Sequence, residues 1–287
     1  MKNYSKIIAG TMTWGKWGSQ LGTNEMVALM EHCLESGITT FDHADIYGDY
    51  TTESDFGKAF AQSSIVRESV QFITKCGIQM TSGRPNRVKH YQYDAAYIIN
   101  SVETSLKNLQ TDYLDLLLLH RPSPLMDPSE VAKAITTLQT SGKIKAFGVS
   151  NFSPSQIALL EKAIPVSGNQ VECSLLHTEP FYDGTFDDTI ANERMAMAWS
   201  PLGGFFGDDS ARVEAIKKVL ETFTETYDAN TSQLLLAWLM KHPAGIHPVV
   251  GTTKKERLTD SVAASNMDMD LQDWFVLLEA SLGHEVP

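Results

Sequence analysis

Positive charge is scarce in this chain of 287 residues: 23 Lys and Arg stand against 35 Asp and Glu, a formal net charge of -12. Nucleic acids and anionic membranes are held by positive surface, so neither is expected as a general partner. A small basic pocket for one phosphate remains compatible with that balance. Cysteine is scarce too. Cys33, Cys76 and Cys173 are odd in number, widely spaced and free of any C-x-x-C pattern. That argues against a structural zinc site and for reduced thiols in a cytosolic compartment. No stretch approaches the run of about 18 apolar residues that a membrane span requires. The N-terminal "MKNYSKIIAGTMTWG" lacks the apolar region and cleavage site of a secretory signal. A soluble, cytoplasmic protein is the expectation. Low-complexity segments, charge blocks and linkers are missing as well, so one domain over 1–287 is expected. With 43% hydrophobic residues the chain can bury a large core.

What the chain does have is alternation. Short β-rich runs, "KIIAG", "ITTFD", "VQFITK", "LDLLLLH", "KAFGVS", "GNQVEC", "MAMAWS" and "IHPVVG", are mostly apolar on both faces. Strands of a parallel sheet covered by helices read this way. Amphipathic stretches lie between them, such as "NEMVALMEHCLESG", with Asn24 as its expected N-cap and Gly37 past its end. Others are "DAAYIINSVETSLKNLQ", "DPSEVAKAITTLQTSG" and "SPSQIALLEKAI". Residues 211–242 hold two helical patterns in a row, and "KKERLTDSVAAS" and "DLQDWFVLLEASLG" close the chain. Eight strands alternating with helices predict an α/β fold, a (β/α)8 TIM barrel with additional helices near the C-terminus. The doubly wound open sheet is second, because no G-x-G-x-x-G follows the first strand.

Barrel chemistry sits at the C-terminal ends of the strands. The second run ends at Asp42 with Tyr47 in its loop, the third at Lys75 and the fourth at His120. Each alone has a plain structural reading: a turn cap, a solvated lysine, a strand terminus. Together they bring ionisable groups from three consecutive strand exits to one rim. "LDLLLLH" is the most telling, since packing requires no imidazole after so apolar a strand.

In these motifs the chain resembles the aldo-keto reductase family over nearly its full length. The matches are "GTMTWG", "FDHADIYG", "TK", "LLLLH", "GVSNF", "NQVE", "WSPLGG" and "VGTTKKERL", in family order with one per strand exit. The resemblance implies a catalytic tetrad of Asp42, Tyr47, Lys75 and His120 and an NADP(H) cofactor lying extended across the barrel mouth. Thr11 and Met12 of the first motif join the implied cofactor contacts. Ser150, Asn151 and Gln170 resemble the trio that binds the nicotinamide carboxamide, and Trp199 stands where an aromatic stacks on its ring. Ser200, Leu202 and Gly203 would wrap the pyrophosphate. Gly251, Thr252, Thr253, Lys254 and Arg257 would meet the adenosine end and its 2′-phosphate. Many family members carry Lys at the position of Gly251 and Asn at that of Ser261, so phosphate recognition here leans on Lys254 or Lys255.

Carbonyl reduction needs a hydride on one side and a proton for the developing alkoxide on the other. Lys75 is expected to lower the pKa of Tyr47, the general acid, with Asp42 keeping the lysine charged and His120 orienting the substrate oxygen. The expected activity is NADP(H)-dependent reduction of a small-molecule aldehyde or ketone to an alcohol, with no metal. A metal reading of His43 and Asp45 finds poor ligands at the other strand ends. Trp14, Trp17, Phe152, Phe205 and Phe206 are candidate walls of an apolar pocket, or else pack under loops. Short segments "RPSPLMDPSE" and "GGFFGDD" predict an open, permissive site. A cofactor-binding regulatory subunit of the same fold, with little turnover, is the alternative, and the enzyme is favoured because no appended partner-binding element is evident.

Overall fold

The computed structural model describes residues 4–286, so the first three residues and the last of the expected domain lie outside the described residues. Ten strands appear among the described residues: β1 (Ile8–Gly10), β2 (Thr40–Asp42), β3 (Gln71–Cys76), β4 (Ile78–Gln79), β5 (His90–Tyr91), β6 (Leu114–Leu119), β7 (Ile144–Ser150), β8 (Gly168–Glu172), β9 (Met195–Trp199) and β10 (His247–Val250). Eight of them, all parallel, close into a barrel in the order β1-β10-β9-β8-β7-β6-β3-β2, and these are the eight expected runs. β4 and β5 form a small antiparallel hairpin beside the barrel.

The apolar runs are explained by burial on both faces. In β6, Leu116 and Leu118 point into the barrel with Ile8, Ile73, Met197 and Val249. Leu117 and Leu119 point outward against the covering helices. Strand register then sets the upper rim. Gly10 pairs with Asp42, Asp42 with Ile73, Lys75 with Leu118, and Ser150 with Gln170.

The first helix runs Thr23–Glu35 and begins one residue before the expected cap. Asn24 is therefore not the N-cap. Gly22 is, because its backbone N–H donates to the Glu25 carboxylate at 2.7 Å, which ties the entry down one step earlier. Gly37 follows the helix at φ 85°, as expected of a C-terminal glycine. Two helices beyond the barrel set, Ala211–Tyr227 and Leu271–Leu282, pack on each other and on Thr231–Met240 around a second apolar cluster. There Trp238 and Trp274 stack at 4.9 Å, and each indole donates to the other's backbone carbonyl.

The helix Thr52–Gln62, which crosses from β2 to β3, lies against the end of Ala95–Leu109 at Gly57. A Cβ there would collide with the Asn108 carbonyl and lie 2.8 Å from Leu109 Cα, both of them backbone. Gly57→Ala is accordingly expected to cost about 2–3 kcal/mol by forcing the two helices apart. A melting midpoint lowered by roughly 3–5 °C in calorimetry would match that cost, whereas an unchanged midpoint would show that the helices separate freely.

Candidate active site

The register of β2 and β3 brings Lys75 beside Asp42 below the barrel mouth. Lys75 Nζ donates to Asp42 Oδ1 at 2.6 Å, to the His43 carbonyl at 2.9 Å and to the Tyr47 hydroxyl at 3.2 Å. All three ammonium protons thus have acceptors, as a buried cation requires. Burial pushes the Lys75 pKa down, but Asp42 and Tyr47 outweigh it and hold the ammonium above its ordinary value.

Tyr47 reaches that ammonium because the chain reverses at once behind it. Gly48, Asp49 and Tyr50 all have positive φ, at 60°, 55° and 69°. A Cβ at Gly48 would lie 2.5 Å from Thr52 Oγ1, so the turn starts on the residue that has none. The expected lowering of the Tyr47 pKa is corrected here. Lys75 does pull it down, but burial of the phenol is the larger effect, and the net displacement is upward. The phenol is protonated at neutral pH.

His120 follows β6 with its ring 6.1 Å from that of Tyr47, edge to face. Burial first, then Lys75, Arg121 and Lys89, hold its pKa well below the ordinary histidine value, so the ring is neutral. Its Nδ1 is buried without a hydrogen-bond partner among the described residues. His43, by contrast, is turned into the core. It shares a hydrogen bond with Thr11 at 2.9 Å and sits against Phe56 and Phe72. Among the described residues no cluster of His, Cys, Asp or Glu could hold a metal ion.

A second arc faces these groups. Ser150 Oγ donates to the Gln170 carbonyl at 2.8 Å, Asn151 Nδ2 to Ser150 Oγ at 2.8 Å, and Trp199 Nε1 to Asn151 Oδ1 at 2.9 Å. Gln170 Nε2 donates to Asp42 Oδ2 at 2.8 Å, which joins the two arcs through one carboxylate. Of the remaining expected contacts, Thr11 is fully buried with its hydroxyl on the Asp42 carbonyl, while Met12 is exposed. Ser200 is exposed, Leu202 packs partly into the core, and Gly203 has φ 57°. Thr252 and Thr253 are half-buried, and Gly251, Lys254 and Arg257 are exposed.

The aromatic candidates divide cleanly. Trp14, Phe152 and Phe205 are closed in the core, whereas Trp17 and Phe206 are exposed. Sequence reasoning missed Arg121, whose guanidinium lies 5.3 Å over Trp199. Its only signal was its place directly after His120.

A family model described as Aldo/keto reductase family matches residues 6–278. The chain is 42% identical to the uncharacterized oxidoreductase YcsN of Bacillus subtilis, over 99% of this chain and 96% of that one. It is 40% identical to a 6-dehydroglucose reductase of Agrobacterium fabrum, over 98% of this chain and 97% of that one. The solved structure of a thermostable aldo-keto reductase in complex with the inhibitor epalrestat matches with a TM-score of 0.79 and 28% identity, covering 96% of this chain and 94% of that one.

Asp45, beside this site, carries a measurable titration. Burial, then Glu53, pushes its pKa up to about 8 despite hydrogen bonds from Ser101 and Tyr97. Its Oδ1 is buried without a partner, as suits the protonated acid. The folded chain therefore holds a proton that the unfolded chain releases near 3.8. The stability linked to it is fully present below that value and is lost as pH rises through about 8. Asp45→Asn keeps the shape and removes the titration. Melting curves at pH 5, 7 and 9 should show the variant declining less than the wild type and exceeding it at pH 9; parallel declines would assign the loss to other groups.

Proposed function

The chain belongs to the aldo/keto reductase family, and on that premise we propose that it is an NADP(H)-dependent reductase converting an aldehyde or ketone to an alcohol, with Tyr47 as general acid. The observation that carries this reading is the Lys75 ammonium, buried between Asp42 and the Tyr47 hydroxyl. When bound, the nicotinamide cofactor supplies the hydride. Tyr47, protonated at neutral pH, delivers the proton to the developing alkoxide. Lys75 stabilises the phenolate left behind, and Asp42 keeps Lys75 charged. His120 is neutral and donates a hydrogen bond to the substrate oxygen without adding charge. In the alcohol-oxidising direction the phenolate accepts the proton, so there the help of Lys75 matters more.

The residues fit the cofactor. A carboxamide needs donors and acceptors together, and Asn151 and Gln170 offer both. With Gln170 Nε2 committed to Asp42, its Oε1 is left to accept from the amide. Trp199 is half-buried and pinned by Asn151, which suits a stacking face. Gly203 has φ 57° and a Cβ there would collide with Ser174 Oγ, so the tight turn that would offer backbone to the pyrophosphate calls for glycine. Thr11, fully buried, acts instead by holding the end of β2, and Met12 remains the contact from its loop.

The adenosine end supports NADP(H) over NAD(H). The helix Lys255–Ala264 begins at Lys254 without a side-chain cap, so its first N–H groups are open to an anion. Lys254 and Arg257 make no ion pair among the described residues, and Thr252 and Thr253 flank them.

Around Tyr47 the mouth is more polar than expected. The Lys16–Asp49 ion pair and Arg121 stand near it, while most candidate apolar walls are in the core. Together with the 6-dehydroglucose reductase relative at 40% identity, this favours an aldehyde on a polyhydroxylated, sugar-sized body over a greasy one.

Tyr47→Phe is expected to lower kcat by about 10²–10⁴ while NADPH still quenches protein fluorescence at wild-type concentrations; full turnover in that variant would remove Tyr47 from the role. Arg257→Ala should weaken NADPH binding by about tenfold and leave NADH nearly unchanged. Gly251→Lys should do the reverse, since a Cβ at that position meets nothing within 4 Å. A wild-type protein that bound neither nucleotide would overturn the reductase reading.

A further inference from the structure

The left-handed turn behind Tyr47 is unusual in length. L-residues visit that region singly, and two of the three here are not glycine. Such a turn persists only where its surroundings fix it, and here two other loops do so. The Asp49 carboxylate accepts at 2.7 Å from Nζ of Lys16, the residue directly before Trp17. The Arg84 guanidinium lies 3.6 Å over the Tyr50 ring. Lys16 and Trp17 belong to the loop after β1, and Arg84 to the loop between β4 and β5. The loop after β1 is tethered on its far side too, through Ser19 to Thr253 at 2.9 Å and Thr13 to the Gly251 carbonyl at 2.7 Å. Trp17, 37% exposed, is thus held between two anchors with its ring 6.2 Å from that of Tyr47.

We propose that Asp49 is a positioning residue that sets substrate size preference, by holding the Trp17 indole beside Tyr47 as the wall on which the body of a large aldehyde rests. The proposal builds on the reductase reading of the four groups below. A short aldehyde meets only Tyr47 and His120 and is indifferent to the indole. A hexose-sized body extends past Tyr47, and the C–H face of a sugar packs on an aromatic plane. An exposed Lys–Asp pair contributes little to stability, so the consequence of this one lies in where it puts Trp17.

The test compares glyceraldehyde with the 6-aldehyde of glucose, using NADPH and the full chain. Asp49→Gly removes the carboxylate and tolerates the left-handed backbone, and Asp49→Asn tolerates it while keeping an acceptor for Lys16. Asp49→Gly and Trp17→Ala are expected to lose about tenfold in kcat/KM on the hexose aldehyde, through KM, and to stay within about threefold on glyceraldehyde. Asp49→Asn should retain most of the preference. Acrylamide quenching, read as the component lost in Trp17→Phe, should rise in Asp49→Gly and much less in Asp49→Asn. Equal losses on both aldehydes, or unchanged Trp17 quenching, would overturn the proposal. Wild-type protein inert towards both aldehydes would defeat the reductase reading instead, and the quenching result would still decide whether Asp49 holds Trp17.

Discussion

A cation buried among acceptors is the constraint on which the barrel mouth is built. Lys75 and Asp42 are both buried, on neighbouring strands, at 2.6 Å. Removing one partner from such a pair leaves an uncompensated charge and typically costs about 3–5 kcal/mol. The pairing of β2 with β3 is therefore fixed by electrostatics as well as by the apolar faces of the strands. The ammonium of that pair acts on the phenol above it, against the larger effect of burial. Burial favours the neutral phenol, the ammonium favours the phenolate, and the balance falls on the protonated side.

Much of this was legible in the sequence because the signals are local. Runs such as that of β6 announce a strand covered on both faces, and the strand ends then name Asp42, Lys75 and His120 without knowledge of any contact. Other features depend on what lies across space. The cap of the first helix moved to Gly22 because a glutamate three residues on reached back to its backbone. The strands β4 and β5 are two residues each and carry no periodicity. Trp14 and Trp17 stand three positions apart in similar company, yet one is sealed in the core and the other faces solvent. The Tyr47 phenol was misjudged for a related reason: the charged neighbour is visible in the motif, but the degree of burial is set by every loop around it.

The left-handed turn shows the same limit at a finer scale. Gly48 hints at it, since glycine takes positive φ freely, but Asp49 and Tyr50 give no comparable sign. Their backbone is held by partners from two other loops, which no window of sequence around them contains.

The barrel is also divided along its chain. Asp42, Tyr47, Lys75 and His120 come from its first four strands and their loops, and Ser150, Asn151, Gln170, Trp199 and the 251–257 segment from its last four. Side-chain hydrogen bonds from Gln170 to Asp42, between Ser19 and Thr253, and from Thr13 to the Gly251 carbonyl join them. For a lineage under selection this makes two regions of one barrel that meet through a handful of side-chain contacts. Substitutions in the exposed part of the 251–257 segment can accumulate while the buried Lys75–Asp42 pair stays intact. Gln170 is a position where such drift meets resistance, because its amide holds the same Asp42 carboxylate that neutralises Lys75.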